Sequence, residues 1–362
     1  MDRRKFISGA ATGVVASTAL AAPALAQSSP KVSWRLQSSY PRSLTTIFGG
    51  AETLSKYVSD LTDGNFELKV FSGGEIVPGL QTIDGVINNT IQMGHTISAY
   101  KMGADPTWAL GTGLPFGLNA RQQNAWFYHG GGNELLDPFY EKNGLVAFPV
   151  GNSGCQMGGW WRKEVKTVED LQGIKIRMSG LGGQILNRVG AVSQTLAPAD
   201  IYPALERGTI DAAEWIGPYD DEKLGFVEVA PYYYYPGWWE SGLAFHAFIN
   251  LEEWNQLPKS YQEALRVASQ AVNTDVLASY DALNPAALRR LIAAGAKLRP
   301  FSKEILDRCY DVAVELYEEI GADNATFKEI SGSMLDFRKE ENLWWQVAEY
   351  SMDTINISTS RK

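Results

Sequence analysis

Apolar and polar side chains alternate over Val32-Ser33-Trp34-Arg35-Leu36, the period of a strand with one buried face. Over residues 41–61 the period lengthens: Ile47, Ala51, Leu54 and Val58 recur at helical spacing. Phe66-Glu67-Leu68-Lys69-Val70 alternates again, 80–88 reads as a second helix, and Met93-Gly94-His95-Thr96-Ile97 as a buried strand. Strand, helix, strand in this rhythm predicts an α/β architecture. Further strands are expected at 145–150, 174–178 and 244–250, and a short helix at 203–207 with Gly208 as its C-terminal stop. Long helices are expected at 261–280 (Leu265, Ala268, Val272 and Val276 in phase), at 303–320, and at 333–357 with Phe337, Trp344, Ala348, Met352 and Ile355 on one side.

No repeat of 20–50 residues and no low-complexity linker interrupts the pattern. A chain that leaves one lobe and later returns to it fits this better than two tethered domains. Two α/β lobes joined by crossing strands place a ligand in the cleft between them. The expected limits are 27–152 with roughly 243–300 for lobe I, and 153–242 with roughly 301–332 for lobe II. Residues 333–362 form a C-terminal helix that can serve as a dimerisation element.

Residues 1–26 change the picture of where the chain works. Arg3-Arg4-Lys5 begins a segment whose residues 8–22 are small and apolar, and Ala24-Leu25-Ala26 fits an A-x-A cleavage site. Asp2-Arg3-Arg4-Lys5-Phe6-Ile7 looks like a twin-arginine signal, although paired arginines also occur in Sec signals. The destination is the periplasm. The 362 residues carry 32 basic and 41 acidic side chains, net −9; residues 1–26 hold +2, so the remainder carries −11. That balance argues against a nucleic-acid binder. Two cysteines exclude a disulfide scaffold and a cysteine-rich zinc fold, and Cys155 and Cys309 are expected to remain free.

Phosphate-loop, dinucleotide, H-E-x-x-H and C-x-x-C motifs are absent, and Gly151-Asn152-Ser153-Gly154-Cys155 fails the nucleophile-elbow pattern. His95, His129 and His246 are far apart and read as hydrogen-bonded structural residues.

Three segments carry candidate chemistry: 151–162, 171–177 and 202–215. On the alternation of 174–178, Arg177 lies on the face opposite Ile174, Ile176 and Met178, and its planar fork can take a carboxylate with two parallel hydrogen bonds. A surface arginine on an edge strand is the even alternative. Glu214 offers a hard oxygen to a cation and Gln156 a neutral one; a solvated or salt-bridged carboxylate is the plainer reading of Glu214 alone. The tract Tyr232-Tyr233-Tyr234-Tyr235-Pro236-Gly237-Trp238-Trp239-Glu240 can line a pocket, stack on a sugar or pack a hinge, with packing the commoner use.

Those segments resemble the periplasmic solute receptors of tripartite ATP-independent periplasmic (TRAP) transporters. Leu171-Gln172-Gly173-Ile174-Lys175-Ile176-Arg177 looks like the family's central signature and 202–215 like the one after it. Gln156-Met157-Gly158-Gly159-Trp160, Glu214-Trp215-Ile216-Gly217-Pro218-Tyr219-Asp220-Asp221 and the 232–240 tract look like the subgroup that binds 2-oxo monocarboxylates such as pyruvate. The resemblance implies a two-lobed periplasmic binding protein with crossing strands and a long helix spanning both lobes. It implies that Arg177 clamps the substrate carboxylate. Gln156, Glu214 and the backbone carbonyl of Trp215 would hold a cation, sodium foremost, with calcium known in a related lactate receptor. Glu240, His95, Thr96, Ile97 and Tyr100 would close over the ligand. It further implies delivery to a small and a large membrane subunit, and in some members a dimer that exchanges a C-terminal helix.

Other readings stay open on the residues alone. They are a hydroxy acid or C4-dicarboxylate receptor, a periplasmic acid/base enzyme using Glu214 and Glu240, and a sugar binder built on the aromatic tract. A dicarboxylate calls for a second cationic partner, and the three segments offer only Arg177 convincingly.

Overall fold

The alternating stretches become strands and fall into two mixed sheets. The structure is a computed structural model that describes residues 30–360, so the expected signal at 1–26 lies outside the described residues. The strands are β1 (Val32–Ser38), β2 (Phe66–Phe71), β3 (Met93–Thr96), β4 (Leu145–Asn152), β5 (Trp160–Trp161), β6 (Lys175–Arg177), β7 (Val192–Gln194), β8 (Ala212–Ala213), β9 (Tyr232–Tyr235), β10 (Ala244–Asn250) and β11 (Lys297–Pro300). One sheet has the order β2-β1-β3-β10-β4, the other β11-β9-β5-β8-β6-β7. β1 pairs in parallel with β2 and β3, and β10 runs antiparallel between β3 and β4. β6 pairs in parallel with β7 and β8. The chain crosses from the first sheet to the second after β4, returns at β10, and crosses again to β11 along the helix Lys259–Ala293. That helix packs against β4 and the helix Ile47–Leu61 on one side, and against the short helix Pro218–Lys223 of the other sheet's half. This is the α/β fold with crossing strands and a spanning helix that the sequence implied.

Neighbours on a strand enter different cores, because successive side chains point to opposite faces. Trp160, Ala213 and Tyr233 belong to one core, and Trp161, Ala212 and Tyr234 to the other. The aromatic tract is therefore sheet, and Trp160 stacks on Tyr233 with ring centroids 4.0 Å apart. Truncating either buried ring to alanine would cost about 3–5 kcal/mol.

Several element limits differ from the periodicity. The first helix begins at Ile47, not 41, because 41–46 holds a tight turn in which Leu44 N–H donates to Pro41 O at 3.1 Å. The stretch 80–88 is a short 3₁₀ turn followed by the helix Thr82–Ile87. The helix expected at 203–207 is Pro198–Glu206, opened by Pro198 in its first turn, and Gly208 behind it takes φ +71°. The helix expected at 261–280 runs Lys259–Ala293 straight through Pro285; Tyr280, Ala287 and Leu291 are buried on both sides of the proline, and that packing outweighs the lost backbone bond. The helix expected at 333–357 is two: Ala325–Val347, which buries Phe327, Ile330 and Met334, and Glu349–Thr359, which buries nothing. The break at Ala348 comes where the apolar side runs out of surface to pack on. Residues 102–142 hold three α-helices beyond those expected, of which Ala120–His129 opens with a reciprocal capping box: Gln122 N–H donates to Asn119 Oδ1 at 2.9 Å and Asn119 N–H to Gln122 Oε1 at 3.1 Å. Both cysteines are free.

Candidate ligand-binding site

Four parallel strands point their carboxyl ends at one place, the position where open α/β sheets bind ligands. Ile97 follows β3, Tyr40 follows β1 by two residues, Ser179 follows β6 by two, and Glu214 follows β8 directly. Together with Tyr100, Arg177, Trp215, Ile216, Glu240, Leu243 and Phe245 they line a narrow cavity between the sheets. A larger cavity of about 220 Å³ beside Tyr128, Asp137, Phe148 and Arg266 holds none of the predicted residues, and its charges are less buried.

Arg177 and Glu214 meet because β6 and β8 are parallel neighbours, with Arg177 in register with Ala213 and Glu214 N–H donating to Arg177 O at 3.2 Å. Both are buried, at 2% and 3% exposure. Arg177 Nη1 donates to the Glu214 backbone carbonyl at 3.0 Å and to its carboxylate Oε1, while Nε donates to Leu196 O at 3.3 Å. The guanidinium carbon lies 5.0 Å from the centroid of the Trp215 ring. Burial opposes the arginine's charge, but Glu214, Tyr100 and Glu240 more than offset this and keep it protonated. Burial also raises the Glu214 pKa, against the pull of Arg177 and of a hydrogen bond from the Ser179 backbone. Glu240 is raised well above the ordinary carboxylate range by burial and then by the nearby Glu214.

Gln156 sits on a strand-like loop laced between two other segments. Its N–H donates to Glu240 O at 3.2 Å, its carbonyl accepts from Gly237 N–H at 2.9 Å, and Met157 N–H donates to Ile216 O at 2.9 Å. The Gln156 side chain is 2% exposed; Nε2 donates to Ser153 Oγ at 3.3 Å, and Oε1 has no partner among the described residues. Gly159 at φ +70° lets this loop touch β8: a Cβ there would lie 2.6 Å from Ala213 O and 3.0 Å from Glu214 Cα.

Of the first-lobe residues, Ile97 and Tyr100 reach the cavity. The Tyr100 phenol faces Arg177 and is pushed to about 12, by burial first. His95 and Thr96 stay behind them in β3. His95 Nδ1 shares a 3.0 Å hydrogen bond with Ser38 Oγ, and burial lowers its pKa to about 3, so it is a neutral core residue. Thr96 Oγ1 accepts from Ser39 Oγ at 2.6 Å. Tyr40, Ser179, Leu243 and Phe245 were not singled out in the sequence. For Tyr40 and Ser179 the readable signal was position, shortly after the strands expected at 32–36 and 174–178.

Residues 37–324 match the family of bacterial extracellular solute-binding proteins, family 7. The chain belongs to that family. It is 45% identical, over 99% of its length and 100% of the relative's, to a monocarboxylate 2-oxoacid-binding periplasmic protein of Nostoc sp. (strain PCC 7120). A TRAP transporter solute-binding protein of Bordetella bronchiseptica RB50, solved as a mixed-occupancy dimer with calcium and picolinate in one active site, superposes with TM-score 0.90 at 47% identity, over 92% of this chain and 99% of that one. A periplasmic TRAP solute-binding protein of Pseudoalteromonas atlantica T6c with bound sodium and pyruvate superposes with TM-score 0.87 at 34% identity, over 89% and 98%. The chain places these buried charges between its two sheets. Among the described residues no helix is long and apolar enough to cross a membrane, and no group of three His, Cys, Asp or Glu side chains converges to hold a metal. A cation at this site must therefore draw on amide and backbone oxygens. Gln156 does not line the cavity itself; its side chain lies next to the Glu240 carboxyl, and its Oε1 is an amide oxygen of that kind.

Proposed function

We propose that this chain is the periplasmic receptor of a TRAP transporter, exported by its twin-arginine-like or Sec signal. It captures 2-oxo monocarboxylates such as pyruvate and 2-oxobutyrate together with a cation, and delivers them to the small and large membrane subunits for uptake driven by an ion gradient. One observation carries this reading: Arg177 is the one cationic side chain lining the cavity among the described residues, and it faces two carboxylates, Glu214 and Glu240. A ligand carboxylate joins Glu214 as a second anion around one guanidinium, beside Glu240, which burial and the Glu214 charge hold in its neutral form. Buried charges must be paired, so a cation is required. A second ligand carboxylate would worsen the balance, which disfavours a C4-dicarboxylate.

Gln156 Oε1, the Glu214 carboxylate and the Trp215 carbonyl would hold the cation, which supplies positive charge to the oxygens of the bound acid. Sodium is favoured, and oxygen donors of this kind also accept calcium. Arg177 takes the ligand carboxylate through Nη2, the guanidinium nitrogen that Glu214 and Leu196 leave free. Tyr100 and Tyr40 bring hydroxyls to the same place, and Ile97, Leu243 and Phe245 exclude water from it. The moving bodies are the half built on the first sheet, β1–β4 with β10, and the half built on the second, β5–β9 with β11. The closed form is favoured because ligand contacts from both halves exist only there, and Thr45 Oγ1 meets Tyr219 Oη across the rim at 3.2 Å. The mature charge of −11 gives no long-range attraction for an anion, so Arg177 must capture it at short range. Pairing of two copies through the exposed Leu343, Trp344, Val347, Met352, Ile355 and Ile357 completes the reading.

The test is calorimetric titration of refolded mature protein with pyruvate, 2-oxobutyrate, lactate and succinate, each with sodium, with calcium and with neither. One-to-one binding of the 2-oxo acids that depends on the cation, and loses that dependence in Glu214→Ala, is expected. Binding of lactate or succinate in preference, or of no acid at all, would sink the 2-oxo acid assignment. Turnover of the bound acid would return Glu214 and Glu240 to an enzymatic role.

A further inference from the structure

Two complementary polar atoms beside the site are buried, adjacent and unpaired. Trp215 is 4% exposed and its Nε1–H has no partner among the described residues; Asp220 is fully buried and its Oδ1 has none among them either. The indole faces the Asp220 carboxyl without reaching a hydrogen bond of normal length. The other carboxylate oxygen, Oδ2, accepts from Tyr280 Oη–H at 2.7 Å, and Tyr280 belongs to the helix Lys259–Ala293 that spans the two halves. The short helix Pro218–Lys223 that carries Asp220 is clipped to the same long helix twice more. Tyr219 N–H donates to Asn284 Oδ1 at 3.0 Å, and Arg290 forks onto Glu222 at 2.7 and 2.6 Å. The Trp215 ring also supports the Arg177 guanidinium. Leaving a buried donor and a buried acceptor both unpaired is costly, and a small rotation of the indole recovers the bond.

We propose that Asp220 is the positioning residue for Trp215: its free Oδ1 takes the indole N–H when ligand and cation occupy the site, setting the Trp215 carbonyl and tying the occupied site to Tyr280 on the long helix. This rests on the cation-assisted receptor reading above. Asp220 touches neither ligand nor cation; it acts through Trp215. Only the carboxylate serves both neighbours. In Asp220→Asn one oxygen can still accept from Tyr280, but the amide N–H₂ then meets the indole N–H donor to donor.

The experiment follows the indole N–H resonances of full-length mature protein by nuclear magnetic resonance, with Trp215 assigned by its loss in Trp215→Phe. On saturation with pyruvate and sodium, the Trp215 indole proton is expected to move downfield in the wild type and to stay in place in Asp220→Asn. The pyruvate Kd of Asp220→Asn should rise about tenfold, the scale of one hydrogen bond to a charged group, with the apo melting temperature unchanged or higher. Asp220→Asn combined with Trp215→Phe should bind no worse than Trp215→Phe alone. A resonance that does not move in a ligand-saturated wild type, an equal movement in Asp220→Asn, or independent, multiplying losses in the double variant would overturn the proposal while leaving the receptor reading intact. A wild type that binds no 2-oxo acid overturns both. Should Asp220→Asn fail to fold, Tyr280→Phe is the second variant. It is expected to weaken pyruvate binding in sodium and to blunt the indole shift; wild-type values of both would overturn the tether.

Discussion

Arg177 and Glu214 are joined twice through one nitrogen: Nη1 donates both to the Glu214 carbonyl, at 3.0 Å, and to the Glu214 carboxylate. The backbone bond holds the arginine in place whatever the charge state of the carboxylate. The side-chain bond neutralises a carboxylate that is 3% exposed. Structure and binding thus share one guanidinium, and they separate in variants.

Arg177→Ala should weaken 2-oxo acid binding by about 2–4 kcal/mol, and lower the stability of the apo protein by about 3–5 kcal/mol because Glu214 is left buried and unpaired. Adding Glu214→Gln should recover most of the stability and none of the binding. Urea unfolding and calorimetry on the three variants check this. An Arg177→Ala protein as stable as the wild type would mean the pair is not buried in solution.

Asp221 is buried against Trp160 Nε1 at 2.9 Å and Tyr233 Oη at 2.7 Å, and burial raises its pKa to about 7. Its folded pKa lies above the unfolded value, so its contribution to stability is fully present below about 4 and is lost as pH rises through about 7. His95 and His246, lowered to about 3 and about 4 by burial, act in the opposite sense, their contribution being lost as pH falls below the unfolded value. The wild-type pH profile therefore mixes both, and the difference between variant and wild type isolates Asp221. The melting temperature of Asp221→Asn minus that of the wild type should be larger at pH 8 than at pH 5. A difference independent of pH would mean Asp221 does not titrate in this range.

Gly159→Ala should cost about 1–3 kcal/mol of stability, from the positive φ and from a Cβ driven against Ala213 O. Because the same Cβ presses on Glu214 Cα, ligand affinity should fall as well. Melting curves and pyruvate titration measure the two effects; full affinity in a destabilised variant would show that the loop gives way without moving Glu214.

Removing the residues after Ala348 should leave pyruvate affinity and apo unfolding nearly unchanged, since Glu349–Thr359 buries no residue. The mass in solution should fall from dimer to monomer. A deletion that stays dimeric places the interface elsewhere.

The hydrophobic period identified the strands that matter most for the site, β1, β3, β6 and β10, and segment resemblance picked out Arg177, Gln156, Glu214, Trp215 and Glu240 before any coordinates. Both signals are local: side-chain alternation and short runs survive in one dimension. Pro285 inside a helix, the break at Ala348 and the split of 232–235 between two cores depend on what packs against each segment, which no local pattern carries.

The sequence by itself determined the α/β class, the acidic balance and the identity of the charged groups, because these follow from period, composition and residue chemistry. Only the tertiary structure decided which of those groups meet. It set Arg177 beside Glu214 through the parallel pairing of β6 and β8, drew His95 and Thr96 back into the sheet while Tyr40 and Tyr100 came forward, and left Gln156 Oε1, Trp215 Nε1 and Asp220 Oδ1 without partners. The reason is that strand order and burial are properties of the whole chain, and whether a buried polar atom finds a partner depends on segments far from it in sequence.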